Sequence, residues 1–112
     1  MTWTGTILLF SGRPDPTWAV PPSIVRSLER AWDRSAAYPG PPPAAPPLGY
    51  RGCLLKSPDL REWLAYGGAV TLRTAGQAES RRDPGRSFER TLLASAPPKA
   101  VPASLIEALE PP

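Results

Sequence analysis

The stretch Ile7-Leu8-Leu9-Phe10-Ser11-Gly12-Arg13-Pro14-Asp15-Pro16-Thr17-Trp18 joins a continuous apolar run to a loop that contains two prolines. The run is apolar on both faces, which predicts a central strand covered by a helix on at least one side. Each proline fixes its own φ and pushes the residue before it towards extended geometry. We therefore expect Arg13 and Asp15 to be held extended on a stiff loop.

This loop carries the candidate partner-binding residues Arg13, Asp15 and Trp18. Arginine and tryptophan are enriched at binding hot spots, and a preorganised loop loses little entropy when it docks. The structural alternative is that Trp18 packs on the core while Arg13 pairs with Asp15 or with a helix end. The two interpretations are compatible, because a buried Trp18 could anchor an exposed Arg13.

The length of 112 residues predicts a single domain spanning residues 1–112. Within it, residues 38–48 are dominated by proline and predict a surface connector in polyproline II or irregular conformation. This connector contains Pro43-Ala44-Ala45-Pro46, a PxxP pattern of the type that aromatic grooves recognise. Such a pattern also arises by chance in any proline-rich stretch, so it does not by itself predict a ligand.

The remaining elements predict an α+β fold in the order β-α-β-β-α-α, with a three-stranded sheet and helices packed on one face. Pro22 suits the first turn of a helix of about a dozen residues, and Asp83-Pro84 predicts the start of another. Residues 58–64 fit either one helical turn or a strand, and residues 75–82 predict a polar loop. The strands are expected at residues 3–10, 49–56 and 65–74, and a short C-terminal helix is expected from Pro102.

The absence of several residue types limits the chemistry of an isolated chain. There is no histidine and one cysteine, Cys53, so neither a Ser-His-Asp arrangement nor a thiolate zinc site can be assembled. No GxxxxGK[ST] or GxGxxG pattern occurs. Asp15, Asp59 and Glu62 lie near loops, but nothing in the sequence brings two of them together. We expect no catalytic residue, no metal and no cofactor, and we expect Cys53 to be a small buried residue of the second strand.

The charge pattern offers a second candidate site. The net charge is +3, and of the 13 basic residues only Lys56 and Lys99 are lysines. Arginine suits bidentate contact with phosphate or carboxylate. Acidic residues interrupt the arginines, however, so a nucleic-acid partner is possible but not favoured. The anionic-ligand candidates gather around the second predicted helix: Arg81, Arg82, Arg86 and Arg90.

Two segments carry a family resemblance. Phe10-Ser11-Gly12-Arg13-Pro14-Asp15-Pro16-Thr17-Trp18 and Leu48-Gly49-Tyr50-Arg51-Gly52 resemble small uncharacterised bacterial proteins with an SGRPNPxW-type loop and a GYRG strand. Asp15 stands where that pattern has asparagine. The resemblance covers a minor part of the chain and implies no activity.

Taken as a whole, the sequence predicts a small non-catalytic interaction or accessory module. We expect it to bind a protein or peptide partner, and it could be an accessory subunit of a larger bacterial enzyme assembly. The alternative is an arginine-mediated binder of nucleic acid or another anionic ligand. The N-terminus lacks the basic segment of a signal peptide, and no run is long enough to span a bilayer, which predicts a cytoplasmic protein with no membrane partner. The pattern does not fix an oligomeric state.

Overall fold

The computed structural model describes residues 2–9, 14–46 and 49–98 of the chain. In this part the strands form one antiparallel sheet in the order β2-β1-β3-β4-β5-β6, and two α-helices accompany it. A 3₁₀ turn at Pro84–Arg86 precedes the second helix. The elements are β1 (Thr4–Ile7), β2 (Thr17–Ala19), α1 (Pro22–Arg34), β3 (Cys53–Lys56), β4 (Glu62–Tyr66), β5 (Ala69–Thr74), β6 (Gln77–Arg82) and α2 (Ser87–Ala94).

The chain is thus an α+β domain, but the predicted three-stranded sheet and the order β-α-β-β-α-α are wrong, because the sheet has six strands in the described residues. β2 was not predicted, because it has only three residues and follows two prolines. The predicted polar loop at residues 75–82 contains β6, whose side chains are mostly exposed and therefore show no apolar alternation. The undecided stretch 58–64 divides into a turn and the start of β4. The predicted C-terminal helix from Pro102 lies outside the described residues.

The core lies between one face of the sheet and the two helices. α2 contacts β1, β3, β4 and α1, so it crosses the middle of the sheet. Cys53 is fully buried in β3, as the sequence predicted. Strand register continues the apolar surface across the sheet, since Leu55 lies opposite both Gly5 and Trp63. The buried core comprises Ile7, Trp18, Val20, Val25, Leu28, Trp32, Cys53, Leu55, Trp63, Ala65, Val70, Phe88, Leu92 and Leu93.

The opposite face of the sheet, here called the open face, carries no helix among the described residues. Thr6, Leu54, Leu64 and Thr71 follow one another across four neighbouring strands on this face. Residues 39–46 are exposed and pass beside it. A Cβ placed on Gly67 would lie 3.1 Å from the ring of Pro43, which shows how closely this segment approaches the turn between β4 and β5. The open face is therefore covered only at one side.

The first helix follows its predicted pattern. Pro22 occupies its first turn, where the missing N–H costs no helical hydrogen bond, and Arg34 lies in its last turn. Val25, Leu28 and Trp32 are buried in the core, and α1 contacts α2. No helix in the described ranges is long and apolar enough to cross a membrane.

Candidate functional site

The predicted loop site is only partly described, because Arg13 lies outside the described residues. Asp15 is half-buried, and its Oδ1 accepts the backbone N–H of Leu9 at 2.9 Å. Trp18 is 7% exposed, and its Nε1–H donates to Oγ of Ser95 at 2.9 Å. The indole is thus part of the core and offers little surface to a partner, while Asp15 joins the two sides of the loop at its base.

The position of Trp18 depends on a glycine in the neighbouring strand. Gly5 lies directly opposite Trp18 in the β1–β2 register. A Cβ at Gly5 would stand 2.6 Å from the indole, closer than such atoms approach in proteins. The Trp18 ring can therefore lie across β1 only because position 5 has no side chain.

The four candidate arginines are not equivalent. The Arg81 guanidinium lies 4.2 Å from the ring centroid of Trp32, donates to the Trp32 carbonyl at 2.8 Å and pairs with Glu79 at 2.7 Å. Arg81 therefore connects the C-terminal end of α1 to the edge strand β6. Arg82, Arg86 and Arg90 are exposed around the start of α2. Only these three are available to an anionic ligand.

A buried carboxyl group that we did not predict lies behind these arginines. Glu89 is fully buried, and the Tyr50 hydroxyl donates to its Oε2. Its Oε1 has no hydrogen-bond partner among the described residues. Burial raises the pKa of Glu89, although the Tyr50 hydroxyl and the nearby Arg86 charge oppose that rise. Burial, together with the Glu89 carboxyl, likewise raises the pKa of Tyr50 well above its usual value.

A second buried acid holds the start of α2. Asp83 accepts the backbone N–H of Phe88 at 2.7 Å and that of Glu89 at 3.1 Å. Burial raises the pKa of Asp83 although both N–H groups favour its charged form. The sequence contained a signal for Glu89, because Leu92 and Leu93 follow it at helical spacing and place it on the apolar face of α2. Asp83 and Glu89 position the helix. In the described ranges, no cluster of three or more acidic, cysteine or histidine side chains could hold a metal ion.

A groove on the open face combines an apolar floor with the guanidinium group of Arg73. Its volume is about 340 Å³, within the range of small-ligand sites. The proline-rich segment forms one wall with Pro42, Pro43, Ala44 and Ala45. The sheet supplies the other lining residues, Leu64, Tyr66, Ala69, Thr71 and Arg73. We call this concavity the proline groove.

The polar groups of the proline groove are few and well placed. The Thr71 hydroxyl shares a 2.8 Å hydrogen bond with the hydroxyl of Ser80 on the next strand. Arg73 is exposed, and its guanidinium has no ion pair with any described residue. The groove thus offers apolar side-chain contact along its length and a single positive charge for an anionic group. Sequence patterns did not reveal it, because its two walls lie far apart along the chain.

Comparison with known proteins adds no relative: no protein-family model, curated protein or solved structure matches the chain. Any functional conclusion therefore rests on the geometry described above.

Proposed function

We propose that the chain is a small non-catalytic interaction module that binds an extended peptide segment of a protein partner in the proline groove. The observation that carries this proposal is the groove itself. It places an apolar floor, a proline wall and the Arg73 guanidinium along the open face. Known peptide-recognition domains dock extended segments in apolar grooves lined by aromatic side chains.

The shape of the proline groove supports an extended ligand. Tyr66 and Leu64 form part of the floor and are half-buried, so a ligand would remove their remaining apolar surface from water. Pro42 and Pro43 restrict the opposite wall, so that wall loses little conformational entropy on binding. A short peptide with an aliphatic side chain fits this lining.

The charge of Arg73 defines the second feature of the ligand. A guanidinium forms its strongest hydrogen bonds with a carboxylate, often in bidentate geometry. The ligand is therefore an extended segment in which an Asp or Glu lies close to an aliphatic residue. Loss of one charge-assisted hydrogen bond should weaken binding about tenfold to a hundredfold.

A displayed peptide library tests this proposal. Peptides selected on the wild-type chain should share an acidic residue beside an aliphatic one, and Arg73→Glu should weaken their binding by at least tenfold. The matched control is Arg30→Glu, which makes the same charge change on the exposed surface of α1. It should bind the peptides as the wild type does. Isothermal calorimetry gives the affinities.

The location of binding is checked by NMR. When a selected peptide is titrated in, the largest chemical-shift changes should occur at the backbone amides of Leu64, Tyr66 and Thr71. Peptides that bind Arg73→Glu equally well, or shifts confined to other surfaces, would exclude the proline groove. A double variant, Arg82→Glu with Arg86→Glu, separates the alternative anionic-ligand function, because it should leave peptide binding unchanged.

A further inference from the structure

An exposed apolar side chain stands on a strained backbone at the turn between β3 and β4. Leu60 is 77% exposed and adopts a φ of +68°. A branched L-residue pays a steric penalty in this left-handed region. Both the exposure and the backbone conformation are unfavourable for the isolated chain, and such outliers cluster at functional positions. We call residues 57–61 the Leu60 turn.

The Leu60 turn is held rigidly by its own hydrogen bonds. The N–H of Ser57 donates to the carbonyl of Arg61 at 2.9 Å, and the N–H of Arg61 donates to Oγ of Ser57 at 3.0 Å. The N–H of Leu60 donates to the carbonyl of Ser57 at 3.1 Å. Ser57 is itself buried, and its hydroxyl donates to Asp59. Leu60 is therefore presented to solvent by a preorganised scaffold.

Arg61 connects this turn to an aromatic pair in the core. Its Nε–H lies 3.0 Å from Oδ2 of Asp59, and its guanidinium lies over the rings of Trp63 and Trp3, at 5.0 and 5.7 Å from their centroids. The two indoles stack with their centroids 5.5 Å apart. Trp3 thus links the base of the Leu60 turn to the neighbouring surface of β1.

Trp3 also lines a surface cavity of about 590 Å³. This Trp3 cavity lies where the end of β2 passes into α1. Most of its lining is apolar, and its residues include Trp3, Val20, Pro21, Pro22, Val25 and Arg26. One chain therefore carries both an exposed apolar side chain, Leu60, and an apolar cavity. Trp3 lines the cavity, and its ring lies under the guanidinium of Arg61, the residue that follows Leu60.

We propose that two copies of this chain form a two-fold dimer in which Leu60 of each copy inserts into the Trp3 cavity of the other. In a two-fold dimer each contact occurs twice, so one axis satisfies both insertions and closes the assembly. Charge favours the same arrangement, since the Asp59 carboxylate beside Leu60 is 61% exposed and Arg26 is exposed at the cavity. Insertion removes Leu60 from water, which offsets the strain of its backbone.

Sedimentation equilibrium of the full chain, from low micromolar to submillimolar concentration, tests the dimer. The wild type should show a monomer–dimer equilibrium. Leu60→Asn should raise the dissociation constant roughly a hundredfold or more, because two buried leucines are lost per dimer. Asparagine tolerates a positive φ, so this variant should melt no lower than the wild-type monomer. Ala78→Asn, on the exposed edge strand β6, is the control and should dimerise normally.

A mixing experiment distinguishes reciprocal insertion from a general effect of Leu60. Ala19→Arg fills the Trp3 cavity from an exposed position and should also be monomeric. When mixed, Leu60→Asn and Ala19→Arg should form a heterodimer through the one intact contact. A wild type that stays monomeric, a Leu60→Asn variant that dimerises, or a mixture without heterodimer would each overturn the proposal. Ala44→Glu adds an acidic side chain to the exposed proline wall of the groove, away from the Leu60 turn. It should weaken the binding of acidic peptides but dimerise like the wild type, so the dimer and the peptide groove succeed or fail separately.

Discussion

At the scale of single residues, the contact between Gly5 and Trp18 determines how closely β2 packs against β1. The indole crosses position 5, and a Cβ there would stand 2.6 Å from it. We predict that Gly5→Ala lowers the free energy of unfolding by about 1–3 kcal/mol, because the ring must move and loses packing. Urea denaturation followed by circular dichroism measures the loss.

A double-mutant cycle provides the control for this prediction. Trp18→Phe leaves room for the new methyl group, although it removes the hydrogen bond to Ser95. The cost of Gly5→Ala should therefore be smaller in the Trp18→Phe background than in the wild type. Equal costs in both backgrounds would show that the indole is not the obstacle.

Glu89 makes the stability of the fold depend on pH. Its folded-state pKa is raised by burial above the usual value of 4.5, so the folded state binds the proton more tightly than the unfolded state. The associated stability is fully present below pH 4.5 and is lost as the pH rises through the raised pKa. We predict that Glu89→Gln removes the part of the pH-dependent loss of stability that comes from Glu89.

Urea unfolding at a series of pH values measures that decline in the wild type and in Glu89→Gln. Asp83 also has a raised pKa, so the variant should keep a smaller slope of the same sign. The stability advantage of the wild type over the variant should shrink as pH increases. An advantage that is constant or grows with pH would contradict a carboxyl group that is protonated more readily in the folded state.

At the scale of elements, the start of α2 depends on a side chain that lies before the helix. The sequence predicted a helix that begins at Asp83-Pro84, but residues 84–86 form a 3₁₀ turn and α2 begins at Ser87. The Asp83 carboxylate nevertheless reaches the free N–H groups of Phe88 and Glu89. Capping thus acts across a turn that sequence patterns do not separate from the helix.

We predict that Asp83→Ala destabilises the domain by about 2 kcal/mol, the upper end of the usual cost of losing an N-terminal cap. The cost is high because two buried N–H groups lose their acceptor. Calorimetric unfolding gives the magnitude, and hydrogen exchange should accelerate first at the amides of Phe88 and Glu89. Asp83→Asn keeps one carbonyl acceptor and should lose less stability than Asp83→Ala.

At the scale of the whole molecule, sequence patterns predicted the helices and strands whose buried residues recur at regular spacing along the chain. The helix α1 and the strand β3 were located because apolar residues recur at their expected spacing. The edge strands β2 and β6 were not, because their backbone pairing is imposed by neighbours rather than by an apolar face of their own. β4 was not predicted as a separate strand either, because residues 58–64 fit both one helical turn and a strand. The predicted sheet was therefore three strands too small.

The features of the candidate sites also divide into those set by neighbouring residues and those that combine distant segments of the chain. The exposure of Arg82, Arg86 and Arg90 follows from local composition. The Tyr50–Glu89 pair, the proline groove and the Trp3 cavity each need residues that are distant in sequence and adjacent in space. No local pattern in the sequence contains that information.

The order of strands has a consequence for how the chain folds. β3, β4, β5 and β6 are sequential neighbours in the sheet, joined by short turns, so each pairing closes only a small loop. β1, in contrast, pairs with β3 across a loop that contains α1 and the proline-rich segment. Loop closure of that length costs more chain entropy. The four-strand meander is therefore the natural folding nucleus, and the β1–β2 hairpin joins a template that already exists.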